Sequence, residues 1–107
     1  MAARRRLILS PSAVADLEGI YRYIAEDDPT AAGDQVERIL TTADGLCDFP
    51  ERGRSRPYLA PNLRSCVRDN YVVFYYPHAD RIDVARVLHS KMDIEHEMLS
   101  FITKHFQ

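Results

Sequence analysis

The spacing of apolar positions changes along the chain, and each change marks an element. Leu7, Ile8 and Leu9 form a short apolar run between arginines and Ser10-Pro11, which predicts a brief strand. Ser10 offers a capping oxygen and Pro11 a preset φ, the pair that opens a helix. Val14, Leu17, Ile20, Tyr21 and Ile24 then recur at helical intervals and predict one apolar stripe. Asp28-Pro29 repeats the cap-and-proline signal. A second stripe, Ala32, Val36, Ile39, Leu40, Ala43, Leu46 and Cys47, predicts a helix running to Phe49-Pro50. Two amphipathic helices with so short a link predict an antiparallel hairpin.

Residues 50–62 hold three prolines, a glycine and three arginines, and read as a surface loop. A strand follows over about Leu63 to Arg68, and Asp69-Asn70 is a two-residue turn signal. The stretch YVVFYY, Tyr71 to Tyr76, is rich in β-branched and aromatic residues and predicts a central strand. Residues 77–80 make the next turn. The stretch RIDVARVLH, Arg81 to His89, is a third strand of this set, with Ile82, Val84, Arg86 and Leu88 assigned to one face. From Met92 a helical period returns through Ile94, Met98, Phe101, Ile102 and Phe106. The prediction is one α+β domain over residues 1–107. It is a two-layer sandwich with an N-terminal strand, a helical hairpin, a three-stranded antiparallel meander and a C-terminal helix. The first strand is expected at a sheet edge or beside the last strand, and the last helix on the sheet or on a second copy.

Length and composition support one ordinary globular core in 107 residues. No apolar run approaches the ~20 residues that span a bilayer. The basic start is followed by a run of only three apolar residues, Leu7 to Leu9, before Ser10-Pro11, too short for a signal-peptide core, so a cytoplasmic location is expected. Cys47 and Cys66 lack metal-type spacing and read as small buried side chains. HExxH, CxxC and Walker-type glycine loops are absent, so neither metal nor nucleotide cofactor is expected. Charge alters the picture more. Residues 11–50 carry nine acids against two arginines, whereas residues 51–91 carry eight bases against four acids. An acidic first half and a basic second half suggest that the second half meets something anionic, or that the halves pair with each other.

Three stretches together resemble the ParE toxins of type II toxin–antitoxin modules, within the RelE/ParE superfamily. They are LSPSAVADLEGIYRYI, FPERGRSRPYLAPNLRSCVRDNYVVFYYP and IDVARVLHSKMDI, and the resemblance covers roughly residues 7–95. It implies the same sandwich, a ParD-like antitoxin bound as a hetero-oligomer, and toxicity through DNA gyrase, with or without its DNA. The RelE branch of that superfamily instead cuts messenger RNA on the ribosome. Two departures stand out: Met92 occupies a position where many relatives have arginine, and the chain continues past this segment into a longer tail.

Cleavage of RNA through its 2′-hydroxyl needs a base, a cation for the phosphate and an acid for the leaving oxygen. Arg64, Arg68, Arg86, His89 and Lys91 are the candidate side chains, with Tyr75 or Tyr76 as hydroxyl groups. Arg86 and His89 stand three apart on a strand, so they point to opposite faces unless a bulge intervenes. His89 is expected to bond backbone, and Arg86 to find an acid on a helix. No catalytic residue is therefore assigned. Arg52, Arg54 and Arg56, with Arg64 and Arg68 nearby, are the candidates for contact with gyrase or its DNA, joined by Arg86, His89 and Lys91. Tyr21, Tyr23 and Ile24 exceed what one helix stripe needs and are the candidates for binding the antitoxin. A ribosome-dependent endoribonuclease is the alternative activity. A toxin that retains only antitoxin binding is a third reading.

Overall fold

The computed structural model describes residues 4–105. Its elements are β1 (Arg6–Leu9), α1 (Pro11–Ala25), α2 (Pro29–Gly45), β2 (Arg54–Ser55), β3 (Arg64–Arg68), β4 (Tyr71–Pro77), β5 (Arg81–His89) and α3 (Ile94–His105). The strands form one five-stranded mixed sheet in the order β1-β5-β4-β3-β2. Strand β1 runs parallel to β5 at one edge, and the remaining neighbours are antiparallel. The α+β sandwich with its helical hairpin and meander is thus observed.

Local chemistry explains the helix starts. Ser10 Oγ accepts from the Ala13 N–H, and Asp28 Oδ1 from the Ala31 N–H, each with proline at the first helical turn. Asp93 caps α3 in the same way through the His96 N–H. Strand β4 is buried on both faces, and its alternation divides the core. Tyr71, Val73 and Tyr75 pack with Leu17 of α1 and Ile39 and Leu46 of the α2 end. Val72 and Phe74 pack with Leu88 and with Met98 of α3. The last helix therefore covers the sheet face opposite the hairpin. Ile94, Phe101 and Ile102 pack there as expected, while Phe106 lies outside the described residues.

Several expectations need correction. Helix α2 ends at Gly45, and Leu46 and Cys47 reach the core from the turn that follows. The supposed loop 50–62 contains β2, a two-residue strand bonded to β3, and a turn that buries Leu59 and Ala60. The α1 stripe is rotated: Ala13 and Leu17 are buried, whereas Val14 and Tyr21 are exposed. On β5 a register shift opposite Phe74/Tyr75 inserts Ala85 as an extra residue. That bulge puts Val87, not Arg86, with Ile82 and Val84 against the hairpin.

Candidate functional site

Helix α1 and the second half of β5 build the most structured candidate site. Strand β1 stops pairing at Leu9 opposite Val84, so β5 has a free edge beyond that point. The backbone there is met by α1. Ser10 donates through its N–H to the Val84 carbonyl at 2.9 Å and through Oγ to the Ala85 carbonyl at 2.7 Å. The Val87 N–H donates to Asp16 Oδ2 at 2.9 Å. The Ser90 N–H bonds the Asn70 carbonyl, which fixes the register and turns Val87 and His89 backbone groups toward the free edge.

Arg86 donates Nε and Nη2 to the two Asp16 oxygens at 2.7 and 2.8 Å. Both side chains are largely buried, and the guanidinium stacks 5.6 Å from the Phe101 ring centroid of α3. The Asp16 hydrogen bonds raise the Arg86 pKa above its ordinary value, so the group is a permanent cation. This is the helix acid that a half-buried arginine demands, and the ion pair ties α1 to β5.

The bulge at Ala85 lies upstream of Arg86, so Arg86 and His89 still face opposite sides of β5. His89 Nδ1 accepts from the Lys91 N–H at 3.0 Å, and its ring meets Tyr71 edge-on at 5.2 Å. Lys91 is exposed. The Tyr75 hydroxyl points inward, donating to the Pro50 carbonyl at 2.7 Å and accepting from the Gly53 N–H at 3.0 Å. Burial pushes its pKa up, as it does that of Tyr76. The residues proposed above for RNA cleavage are thus spread over two faces and the interior.

Beside the free edge of β5 lies a groove of about 590 Å³. Gly19, Ile20, Tyr23, Tyr71 and Met92 supply its apolar walls, and Lys91 one cation. Tyr23 is 76% exposed and Met92 43%. Of the three aromatic and apolar residues proposed from the sequence, Tyr23 lines this groove, whereas Tyr21 and Ile24 do not. Asp16, Gly19 and Met92 were missed as site residues. An acid set among Ala13, Ala15, Leu17 and Ile20 was the available signal for Asp16.

The arginine-rich stretch lies at the opposite sheet edge and divides by face. Arg54 pairs opposite Ser65, and Arg64 opposite Tyr75, so β-alternation sends their side chains to opposite faces. Arg56 donates to Ser65 Oγ and Tyr58 Oη. Arg52 stacks on Phe49, Arg64 binds the carbonyls of Glu51 and Gly53, and Arg68 lies 3.5 Å from Asp69. Of the ion pairs, Asp16–Arg86 joins an acid of the first half to a base of the second, Arg38–Asp69 joins the halves in the reverse sense, and Arg4, which precedes both, pairs with Asp44 and Asp48. Among the described residues no helix is long and apolar enough to cross a membrane, and no cluster of His, Cys, Asp or Glu is placed to hold a metal.

Residues 7–94 match the family described as the ParE toxin of type II toxin–antitoxin systems. Helix α3 thus lies beyond that match, save its first residue. A protein named Toxin RelE2, from Caulobacter vibrioides, is 36% identical over 78 residues, which span 73% of this chain and 86% of that protein. Toxin ParE1 of Mycobacterium tuberculosis is 32% identical over 95 residues, 87% of this chain and 97% of that one. A solved structure of a chromosomal ParDE system from P. aeruginosa superposes with a TM-score of 0.68 at 23% identity, covering 82% of this chain and 98% of that chain. The fold is shared at that distance. With the family match running from β1 to the start of α3, this chain belongs to the ParE toxins of type II toxin–antitoxin systems.

Proposed function

We propose that this toxin acts on DNA gyrase and is neutralised by a ParD-like antitoxin. The observation that carries the first part is the employment of Arg86 and His89. One is held by Asp16 and covered by Phe101, the other accepts a backbone N–H, and they face opposite sides of β5. Arg52, Arg54 and Arg64 carry charges that no acid among the described residues neutralises, and they border the β2–β3 edge. Such a basic edge suits contact with gyrase-bound DNA. Purified toxin is expected to inhibit supercoiling and to trap cleaved DNA on gyrase, and its expression to induce the DNA-damage response. Cut transcripts with immediate translational arrest, and gyrase unaffected, would overturn this reading in favour of the endoribonuclease.

The antitoxin part rests on the groove beside β5. A strand edge with no strand neighbour beyond Val84, its Val87 N–H held by Asp16 and its His89 carbonyl by the Met92 N–H, lies next to an apolar wall. It fits an extended segment that lies along the sheet and buries apolar side chains against Tyr23 and Met92. A β-carbon at Gly19 would meet nothing within 4 Å, so the groove can be filled there without a clash. Gly19→Gln also raises helix propensity, by roughly 0.5–1 kcal/mol. It is expected to leave folding and toxicity intact while reducing antitoxin affinity at least about tenfold, as loss of buried contact worth ~1.4 kcal/mol requires. Unchanged affinity by calorimetry would rule this groove out.

A further inference from the structure

A second concavity lies at the far end of the sheet, away from the groove and from every residue discussed as catalytic except Arg64. It encloses about 460 Å³ and is polar. Arg5 enters it from just before β1, Ser55 from β2, Arg64 from β3, and His78 from the β4–β5 turn. Asn62, held at φ 66°, brings an amide from the turn before β3. We propose that this pocket is an anion site that takes a phosphate group.

The two arginines are the reason. Arg5 is fixed by one backbone carbonyl and Arg64 by two, and neither by a carboxylate among the described residues. Arg5 Nε donates to the His78 carbonyl at 2.8 Å. Arg64 Nη1 donates to the Gly53 carbonyl at 2.7 Å and to that of Glu51 at 3.3 Å. A carbonyl anchors a guanidinium without cancelling its charge, so both cations are held in place and keep donors to offer. Arg5 leaves both Nη groups unbonded among the described residues. The Ser55 hydroxyl and the Asn62 amide add neutral donors, the set that a tetrahedral oxyanion uses. Among the described residues that line the pocket the one acid is Glu51, which leaves the two arginines in excess. His78 stands 3.0 Å from Asp83, which is itself bonded to Arg81, so that acid is already matched. The cavity exceeds a bare phosphate and has room for the ester it belongs to. Two sources share this chemistry: a phosphodiester of a DNA backbone, and a free phosphate or phosphate ester. The site stands on its own geometry and does not require gyrase to be the target.

Amide and side-chain NMR of the whole chain titrated with inorganic phosphate tests it. Saturable shifts are expected at Ser55, Asn62, Arg64, His78 and Ala79. Arg5→Gln is expected to weaken phosphate binding about tenfold, the effect of one lost charge-assisted contact. Arg22→Gln, an exposed cation on α1 outside the pocket, should leave it unchanged. Phosphate binding that Arg5→Gln and Arg22→Gln reduce equally would be diffuse charge attraction and would overturn the site, as would the absence of saturable shifts at those five residues in the unsubstituted chain. A short DNA duplex that displaces the phosphate and moves the same resonances identifies the source as a nucleic-acid backbone. A duplex that leaves phosphate bound identifies it as a free phosphate species. Because no gyrase enters the assay, failure here is separable from failure of the gyrase reading.

Discussion

Gly53 has no room for a β-carbon. An added one would lie 2.5 Å from the Tyr75 hydroxyl and 2.7 Å from the Ser65 carbonyl oxygen, while its φ is unremarkable. The constraint is close approach, not backbone freedom. Gly53 N–H and Pro50 carbonyl both use the same Tyr75 hydroxyl, and that single oxygen fixes the path of the chain between α2 and β2. The arginines on either side, Arg52 and Arg54, are positioned by it. Tyr75→Phe leaves a buried N–H and carbonyl to find other partners and is expected to cost about 1–3 kcal/mol in urea unfolding. Gly53→Ala should cost about as much, by steric conflict. The two share one contact, so the double substitution should cost less than the sum by at least ~0.5 kcal/mol. Strict additivity would show that the hydroxyl does not hold the loop.

Elements with a strong period were legible, and those that depend on a partner were not. Ser10-Pro11 and Asp28-Pro29 announced both helix starts, and the aromatic, β-branched run announced β4. Strand β2 was invisible because two residues carry no period; only pairing with β3 makes it a strand. The bulge at Ala85 was invisible for a related reason, since one extra residue alters a face without altering composition. It moved Val87 into the hairpin core and left the opposition of Arg86 and His89 intact. A helix acid for Arg86 could be inferred from burial, but not which, because Asp16 is 70 positions away. The Asp16–Arg86 pair joins two elements and also supplies the acceptor for the Val87 N–H. Asp16→Leu would strand both a largely buried guanidinium and a backbone donor, at an expected cost of roughly 3 kcal/mol. Asp16→Asn keeps an acceptor and should cost less. Chemical denaturation gives the order of the two variants; an Asn variant as unstable as Leu would mean that charge, not hydrogen bonding, holds α1 to β5.

Over the whole molecule, ion pairs stitch the layers together, and among the described residues Asp16–Arg86 is the pair that joins an acid of the first half to a base of the second. Arg4 ties the start of the chain to Asp44 and Asp48 at the end of α2. Arg38 and Gln35 of α2 reach across to Asp69 in the β3–β4 turn, where Asp69 takes a positive φ of 53°. The Arg38 and Gln35 hydrogen bonds lower the Asp69 pKa below its ordinary value. The sign of the linkage follows. Above the unfolded carboxylate pKa of about 4 the group is ionised in both states, and its favourable native interactions are fully present. As pH falls through the lower folded pKa, the native carboxylate is protonated and that contribution disappears. The pair is solvent-exposed, so the effect is modest and screened by salt. Thermal melts of Asp69→Asn should therefore differ from those of the unsubstituted chain near neutral pH and converge with them as pH falls through the lowered folded pKa. The difference should shrink in high salt. No gap near neutral pH would mean that Asp69 acts through its turn conformation, for which asparagine is equally suited, and not through its charge.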